Sequence, residues 1–278
     1  MLIGLTVHGR RSDALGYARA AAAFLHREGV IILAEDEYAA QLGANVTPFS
    51  QADAPADVII ALGGDGTLLR GAQYAVKWNA LLLGINLGRV GFLTEIEPDG
   101  LEEALRCVLS GSYEVDHRSV LKVESGGQTW YGLNDAVITR GGYARLITIN
   151  ALVDGNSAGH YVADGLVVAT PTGSTGYSLS AGGPIVAPQV DCMVITPVCA
   201  HTLQHRPAVV GGDSHIRLEL LPDAEQTASL QVDGQSCATL TAGMYADITK
   251  DHRQLHLIRI KPLHFFQLVR DKHTEWSR

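Results

Sequence analysis

Asp65 is the residue most open to a chemical reading in the first half of this chain. It stands in Leu62-Gly63-Gly64-Asp65-Gly66-Thr67, directly after the apolar run DVIIAL (57–62) and before a helical stretch, TLLRGAQYAVKW. Glycines in a strand-to-helix turn can adopt positive φ and let a ligand approach the main chain, while the N–H groups that open the helix face a phosphate. A carboxylate there repels an anion, so its chemistry must lie elsewhere, in accepting a hydroxyl proton or in holding Mg²⁺. The plainer alternative is a turn in which Asp65 caps the helix. The segment has neither the GxxxxGK[ST] of a P-loop nor GxGxxG spacing.

Two further constellations lie downstream. The strand-like GLVVAT leads into a loop that carries Thr172, Gly173, Ser174, Thr175, Gly176, Tyr177, Ser178, Leu179 and Ser180, with Asp164 just before the strand. Such a loop offers neutral donors to sugar hydroxyls and phosphate oxygens, and Tyr177 adds an aromatic face. A well-capped turn and a core tyrosine are the structural alternatives. Gly132-Leu133-Asn134-Asp135 sets an amide beside a carboxylate, a pair suited to ribose hydroxyls or a base edge but also ordinary in hairpins. The turn Asp233-Gly234-Gln235 is equally ambiguous on its own.

The elements that must position these residues change character along the chain. LIGLTV (2–7), VIILA (30–34), DVIIAL and LLLGI (81–85) are short, continuously apolar runs, which suit a parallel sheet buried on both faces. Between the first two lies a helix with Ser12 as candidate cap, Leu15, Ala18, Ala22 and Leu25 on one face, and Gly29 past its end. PDGLEEALRCVLSG (98–111) predicts a last helix ended by Gly111. From Tyr113 the segments SVLKVES, TWYGLNDAVITR, RLITINALVDG and HIRLELLP are β-rich and broken by Gly, Asn, Asp and Pro, so a second, antiparallel domain is expected. The boundaries fall at 1–112, 113–255 and 256–278. The closing HFFQLVRDKHTEW carries Phe265, Leu268 and Val269 at helical spacing, suited to packing on a neighbouring surface.

Composition narrows the classes. The chain has 278 residues, 46% hydrophobic and 18% charged, with a net charge of -8, so a folded protein is expected and a duplex-binding or membrane-surface protein is not. No apolar run approaches a membrane span, the apolar part of MLIGLTVHGRR is too short for a signal peptide, and a cytoplasmic location is expected. Cys107, Cys192, Cys199 and Cys237 match no zinc or disulfide spacing and read as buried small hydrophobes. His252 and His256 lie four apart without an HExxH, a weak metal signal.

Taken in order, LGGDGTLLRGA (62–72), LGINLGRVGFLTEI (83–96), GLNDAVITRGG (132–142), ADGLVVATPTGSTGYSLSAGGPI (163–185), ITPVCAHTLQHRPAVV (195–210) and VDGQ (232–235) resemble the NAD kinases. GGDGT alone is shared with lipid kinases of the diacylglycerol and sphingosine type; GLND and the long TPTGSTGYSLSAGGP run separate the two. A catalytically silent NAD-binding regulator is the other alternative, and a lost Asp65 would favour it. The resemblance implies a Rossmann-like α/β domain plus a β-sandwich domain, a C-terminal segment returning to the first, and a homodimer or homotetramer. It also implies transfer of the γ-phosphoryl of ATP, or of inorganic polyphosphate, to the 2′-hydroxyl of the adenosine ribose of NAD, with Mg²⁺ on the phosphates rather than in a protein cage.

By the same resemblance Asp65 is the general base. Gly63, Gly64, Gly66 and Thr67 admit phosphates, and Arg70 contacts a phosphate or the dinucleotide. Asn134 and Asp135 hold the adenosine side of NAD; Arg145, Asp164, Thr172 and Gln235 add contacts; Thr175 through Ser180 line the dinucleotide site, with Tyr177 beside a ring, in its own subunit or its neighbour's. Three positions depart from the family. Val162 stands where an arginine is frequent, removing one charged contact; Gly176 replaces alanine with little expected consequence; and Ala200 replaces the proline before His201.

Overall fold

The computed structural model describes residues 1–9, 11, 13–88, 91–94, 96–141, 146–201, 205–222, 227–262 and 264–276. Its chain divides into one unit of Met1–His117 with Leu255–Arg278, and a second of Arg118–Gln254. The expected boundary at 112/113 lies in the turn ahead of a long strand, whereas the division falls inside that strand.

In the first unit, branched apolar runs form β1 (Leu2–Val7), β2 (Ile31–Ala34), β3 (Val46–Pro48), β4 (Val58–Gly63) and β5 (Leu81–Asn86). They pair in parallel in the order β3-β2-β1-β4-β5. The far end of the chain's last strand lies parallel to β5, with His256 opposite Leu81. Every residue of β4 is buried, the signature of a sheet covered on both faces. The helices are α1 (Ala14–Arg27), α2 (Asp36–Leu42), α3 (Asp65–Trp78) and α4 (Leu101–Ser110). α1 buries Ala14, Ala18, Ala21, Ala22 and Leu25 in one core with Ile3, Leu5, Ile60 and Leu83. Its expected cap, Ser12, lies outside the described residues. Gly111 ends α4 at φ 72°, as a left-handed C-terminal glycine should.

The second unit is antiparallel. β6 (Glu114–Ser125) enters it and turns through Gly126 and Gly127, both at positive φ, into β7 (Gln128–Gly132). β8 (Asp135–Arg140), β9 (Ile147–Val153), β10 (Asn156–Ala163), β11 (Gly165–Ala169), the short α5 (Tyr177–Ser180), β12 (Cys192–Val198), β13 (Ala208–Gly211), β14 (Ile216–Leu220), β15 (Ala228–Val232), β16 (Gln235–Leu240) and β17 (Tyr245–Arg259) follow. One sheet runs β13-β12-β11-β8-β15-β16; in the other, β10, β9, β14 and β17 are successive neighbours. Alternate residues of both sheets, such as Ile138, Leu166, Ile195 and Leu230 against Ile149, Leu218 and Ile248, meet in a shared core. The opposite face of the six-stranded sheet, with Val137, Val167 and Val194, is covered by Ala181 and Val186. Last comes α6 (Phe265–Trp276), which buries Val269.

One expectation is corrected. Only Cys192 is buried; Cys107 and Cys237 are half-buried, and Cys199 is exposed in a left-handed turn after β12 (φ 49°), where the chain leaves the sheet. All four are free thiols. His252 and His256 sit in a strand, where four residues span about 13 Å, too far to share an ion. His256 Nδ1 lies instead 2.9 Å from His117 Nδ1. Among the described residues no group of three His, Cys, Asp or Glu is placed to hold a metal.

Ile138 is fully buried between the sandwich sheets. Ile138→Ala is expected to cost about 3 kcal/mol through lost burial and the cavity left behind. Chemical denaturation followed by far-UV circular dichroism measures it, and a loss below about 1 kcal/mol would place Ile138 outside a tightly packed core.

Candidate active site

The strand order of the first unit reverses between β1 and β4, so the loops leaving their C-terminal ends diverge and open a crevice. The residues at that edge are His8 after β1, Glu35 after β2, Gly63 and Gly64 at the end of β4, and Asn86 at the end of β5. They surround a cavity of about 290 Å³ whose lining includes His8, Arg11, Gly64, Thr67, Arg70 and Asn86. Two arginines and the opening of α3 make it suited to an anion.

The glycines of the loop serve different ends, and none uses positive φ. A Cβ on Gly63 would lie 2.2 Å from Thr67 Oγ1, so this glycine lets α3 close onto β4. Gly64 and Gly66 have open space where a Cβ would point, leaving their main chain approachable. Gly64, not Asp65, is the cap of α3. Asp65 opens the helix and turns its carboxylate onto the loop after β5. It accepts the N–H groups of Phe92 (2.9 Å), Leu93 and Thr94 (3.3 Å each), and the Thr94 hydroxyl at 3.3 Å. The space it occupies exists because residue 91 is glycine: a Cβ there would lie 1.9 Å from Asp65 Oδ1.

In the second unit the expected Gly132–Asp135 hairpin is a crossing from one sheet to the other, because β7 pairs β6 while β8 pairs β11 and β15. Its organiser is Asp233. The carboxylate of Asp233 accepts the N–H of Leu133 (2.8 Å), Asn134 (2.7 Å) and Asp135 (3.1 Å). Asp233 and Gly234 both have positive φ (47° and 75°), the tight turn that starts β16 at exposed Gln235. The Asn134 amide and the Asp135 carboxylate make no hydrogen bond to a described residue, and both converge on Gly176: a Cβ there would lie 3.8 Å from Asn134 Nδ2 and 3.9 Å from Asp135 Oδ2. Tyr177 follows and is 42% exposed, which excludes the core-tyrosine reading. An amide, a carboxyl and an aromatic face with unspent bonding capacity thus adjoin one another.

The hydroxyl loop is less available than its composition suggests. Thr170 bonds Leu133 O, Ser174 bonds Pro171 O, Thr175 bonds Thr172 O, and fully buried Ser178 pairs with Thr196 at 2.8 Å. Thr172 is buried and accepts from Arg118 Nη1 at 3.2 Å. These hydroxyls hold the loop on the outer face of the sheet, so only Thr175, Gly176, Tyr177, Leu179 and Ser180 present surface. Asp164 is half-buried and pairs with Arg140 at 2.8 Å. Arg145 lies outside the described residues. Sequence reasoning misses His8, Glu35, Asn86, Thr94 and Arg140. It reaches Asp233 without its role, for which the Asp-Gly turn is the one available signal.

Two family models match this chain: the ATP-NAD kinase N-terminal domain over residues 3–113 and the ATP-NAD kinase C-terminal domain over residues 133–260. The chain belongs to the NAD kinase family. Among curated relatives, the NAD kinase of Desulforamulus reducens is 36% identical over 99% of this chain and 98% of its own. That of Geotalea daltonii is 40% identical over 95% and 94%. An NAD kinase from Archaeoglobus fulgidus, solved in complex with ATP, matches with a TM-score of 0.74 at 26% identity over 94% of each chain. A yeast NADH kinase complexed with NADH shares the fold, with a TM-score of 0.88 at 24% identity over 95% of this chain and 84% of that one.

The geometry of this NAD kinase fold can be probed at Gly91 and at Asp135. Gly91→Ala drives a methyl into the Asp65 carboxylate; if that carboxylate takes part in the chemistry, turnover is expected to fall by about 10²-fold, as misplacement of a reacting group by an ångström does, with the melting temperature nearly kept. Unchanged turnover would show that the placement of Asp65 is not needed. At Asp135 the variable is pH. Burial, with the neighbouring Asp233 carboxylate, pushes Asp135 up to about 7; burial raises Asp233 too, against its three N–H donors. Between the ordinary carboxyl value and about 7 the folded chain therefore holds a proton that the unfolded chain has lost. Stability from this group declines as pH rises through that window and is level above it. Asp135→Asn removes the titration, so its melting temperature relative to the parent should climb from pH 5 to pH 8 in ligand-free protein. A gap independent of pH would remove Asp135 from that role.

Proposed function

We propose that this protein transfers the γ-phosphoryl group of ATP to the 2′-hydroxyl of the adenosine ribose of NAD, giving NADP and ADP, with Asp65 as the general base. The observation that carries the reading is a carboxylate set by three main-chain N–H groups at the start of α3, at the edge of a parallel sheet beside an arginine-bearing cavity. An alcohol is a poor nucleophile at neutral pH. As the new O–P bond forms and the bond to the β-phosphate bridging oxygen breaks, the hydroxyl proton passes to Asp65 and the electron pair leaves on ADP. The cavity of the first unit takes the donor phosphates: the N–H groups at Gly64 and Gly66, with Arg11 and Arg70, meet the charge that grows on the phosphoryl oxygens.

The dinucleotide is read by residues of the second unit. The Asn134 amide and the Asp135 carboxyl serve the ribose and adenine edge, and Tyr177 offers its ring to a base. Asp164, Thr175, Gly176, Leu179, Ser180 and Gln235 complete the surface, while Thr172 and Ser178 support it from beneath. Mg²⁺ would neutralise the triphosphate for in-line transfer. Thr67 and Asn86 supply only neutral oxygens to the cavity, a set that fits an ion carried on phosphate and water rather than a protein cage. Inorganic polyphosphate as a second donor, a homodimer or homotetramer, and a cytoplasmic location belong to the same reading.

The test is an end-point assay with NAD, Mg²⁺ and either ATP or polyphosphate, with NADP read out by an NADP-specific dehydrogenase. NADP is expected with ATP, and the polyphosphate lane sets the donor range. Asp65→Asn is nearly isosteric and should lower turnover by about 10²-fold or more while NAD still binds. NAD binding by calorimetry without NADP from either donor would refute the kinase reading in favour of a silent NAD-binding protein.

A further inference from the structure

Glu35 is a buried acid that none of the chemistry above uses. It follows β2 and caps α2, and its side chain is 7% exposed. Burying a carboxylate is costly unless it is paired and hydrogen-bonded, and among the described residues its carboxylate bonds only Val7 and Arg70, at the cavity edge. Its Oε2 accepts the Val7 N–H at 3.0 Å, one residue before His8. Its Oε1 lies 2.5 Å from Arg70 Nε, and its Oε2 lies 3.2 Å from Arg70 Nη2. Nη2 also donates to Val7 O.

The guanidinium is thus gripped along one edge, by a bidentate carboxylate and a carbonyl. Its other nitrogen, Nη1, makes no bond to a described residue, the side chain is 36% exposed, and Arg70 lines the cavity. Here the acid is sealed and the base is presented to the cavity it lines.

We propose that Glu35 is a positioning residue for the phosphoryl donor: it holds Arg70 edge-on so that the free side of the fork faces the cavity and meets the donor's phosphate oxygens. The inference rests on the reading that this cavity takes the donor. A planar fork held on one edge keeps its remaining donors in a fixed direction, which a flexible ammonium cannot do. It meets phosphate without losing further side-chain freedom. The pairing also leaves Arg70 nearly neutral toward distant charges while keeping its donors at short range, so the site selects for contact geometry over bulk attraction.

The experiment measures kcat and KM for ATP and for NAD separately in Glu35→Gln, Arg70→Met and the double variant, with melting temperatures for all. Glu35→Gln should raise KM for ATP about tenfold, the worth of one charge-assisted contact, with KM for NAD unchanged. Arg70→Met should do the same, and the double variant should be no worse than Arg70→Met alone. A general structural defect would raise both KM values together. An unchanged KM for ATP in Glu35→Gln, or a full Glu35 effect persisting on the Arg70→Met background, overturns the proposal while the donor cavity stands. If Arg70→Met moves KM for NAD and leaves that for ATP, the donor reading fails and the proposal with it. Should Glu35→Gln not fold, Arg70→Lys carries the test: a lysine satisfies the buried charge but cannot both pair with it and face the cavity. A tenfold higher KM for ATP is again expected, and a parental value overturns the inference.

Discussion

A carboxylate that accepts several main-chain N–H groups fixes a stretch of loop in the conformation that keeps those groups converging on it. Two such clamps, and a third acid that combines one main-chain N–H with an arginine, hold the functional edges of this molecule. Asp233 gathers the N–H groups of Leu133, Asn134 and Asp135; Asp65 gathers those of Phe92, Leu93 and Thr94; and Glu35 takes the Val7 N–H together with Arg70. Loops at the end of a strand leave N–H groups that no ladder satisfies, and unpaired buried donors cost on the order of 1–3 kcal/mol each. Asp233 and Asp65 each answer three at once, and Glu35 answers one while pairing with Arg70. The consequence for function is placement: the clamp on 133–135 leaves the Asn134 and Asp135 side chains with nothing to bond among the described residues, so their capacity is reserved.

The two units reach comparable ends by different architectures. In the first, a parallel sheet delivers the C-terminal ends of β1, β2, β4 and β5 to one edge, and the reversal of order beside β1 opens the crevice there. Position along the strand decides function, since the continuous apolar runs leave no room for polar groups except at their ends. In the second, the six-stranded sheet buries one face in the sandwich and uses the other as a floor for the loop that carries Tyr177. The hydroxyls of that loop are its fasteners. The dense Ser and Thr content holds a polar segment flat on an apolar sheet, and the exposed ring and the half-buried amide are what remain for a ligand.

Much of this is legible in the sequence, and the limits have physical causes. Runs such as VIIALG declare a doubly buried strand, and Gly111 declares a helix end, because burial and left-handed backbone act through residue type locally. The GLND segment is legible as polar and special but reads as hairpin chemistry, since the turn preference of Asn and Asp is local while the sheet crossing is fixed by Asp233, about a hundred residues away. Glu35 gives no signal because an acid after an apolar strand is ordinarily a solvated end; only its pairing with Arg70, 35 residues on, makes it a buried one. The glycines of GGDGT suggest backbone freedom, whereas at Gly63 it is the missing Cβ that matters. His252 and His256, a weak metal signal in the sequence, lie on a strand, where a spacing meaningful on a helix means nothing.

Val162 stands two residues before an acid whose charge is balanced from another strand. The sequence resemblance leads one to expect an arginine at position 162 and with it a charged contact to the ligand, where this chain has valine. Val162 sits on β10 opposite Thr148, with its carbonyl accepting the N–H of His201. The cation at Asp164 comes from another strand: Arg140, at the end of β8, donates its main-chain N–H to the Asp164 carbonyl and sets its guanidinium 2.8 Å from Oδ1. Because β8 and β11 are neighbours in register, with Thr139 opposite Gly165, the end of one lies beside the start of the other whatever occupies position 162. The charge balance at Asp164 is thereby tied to the pairing of β8 with β11.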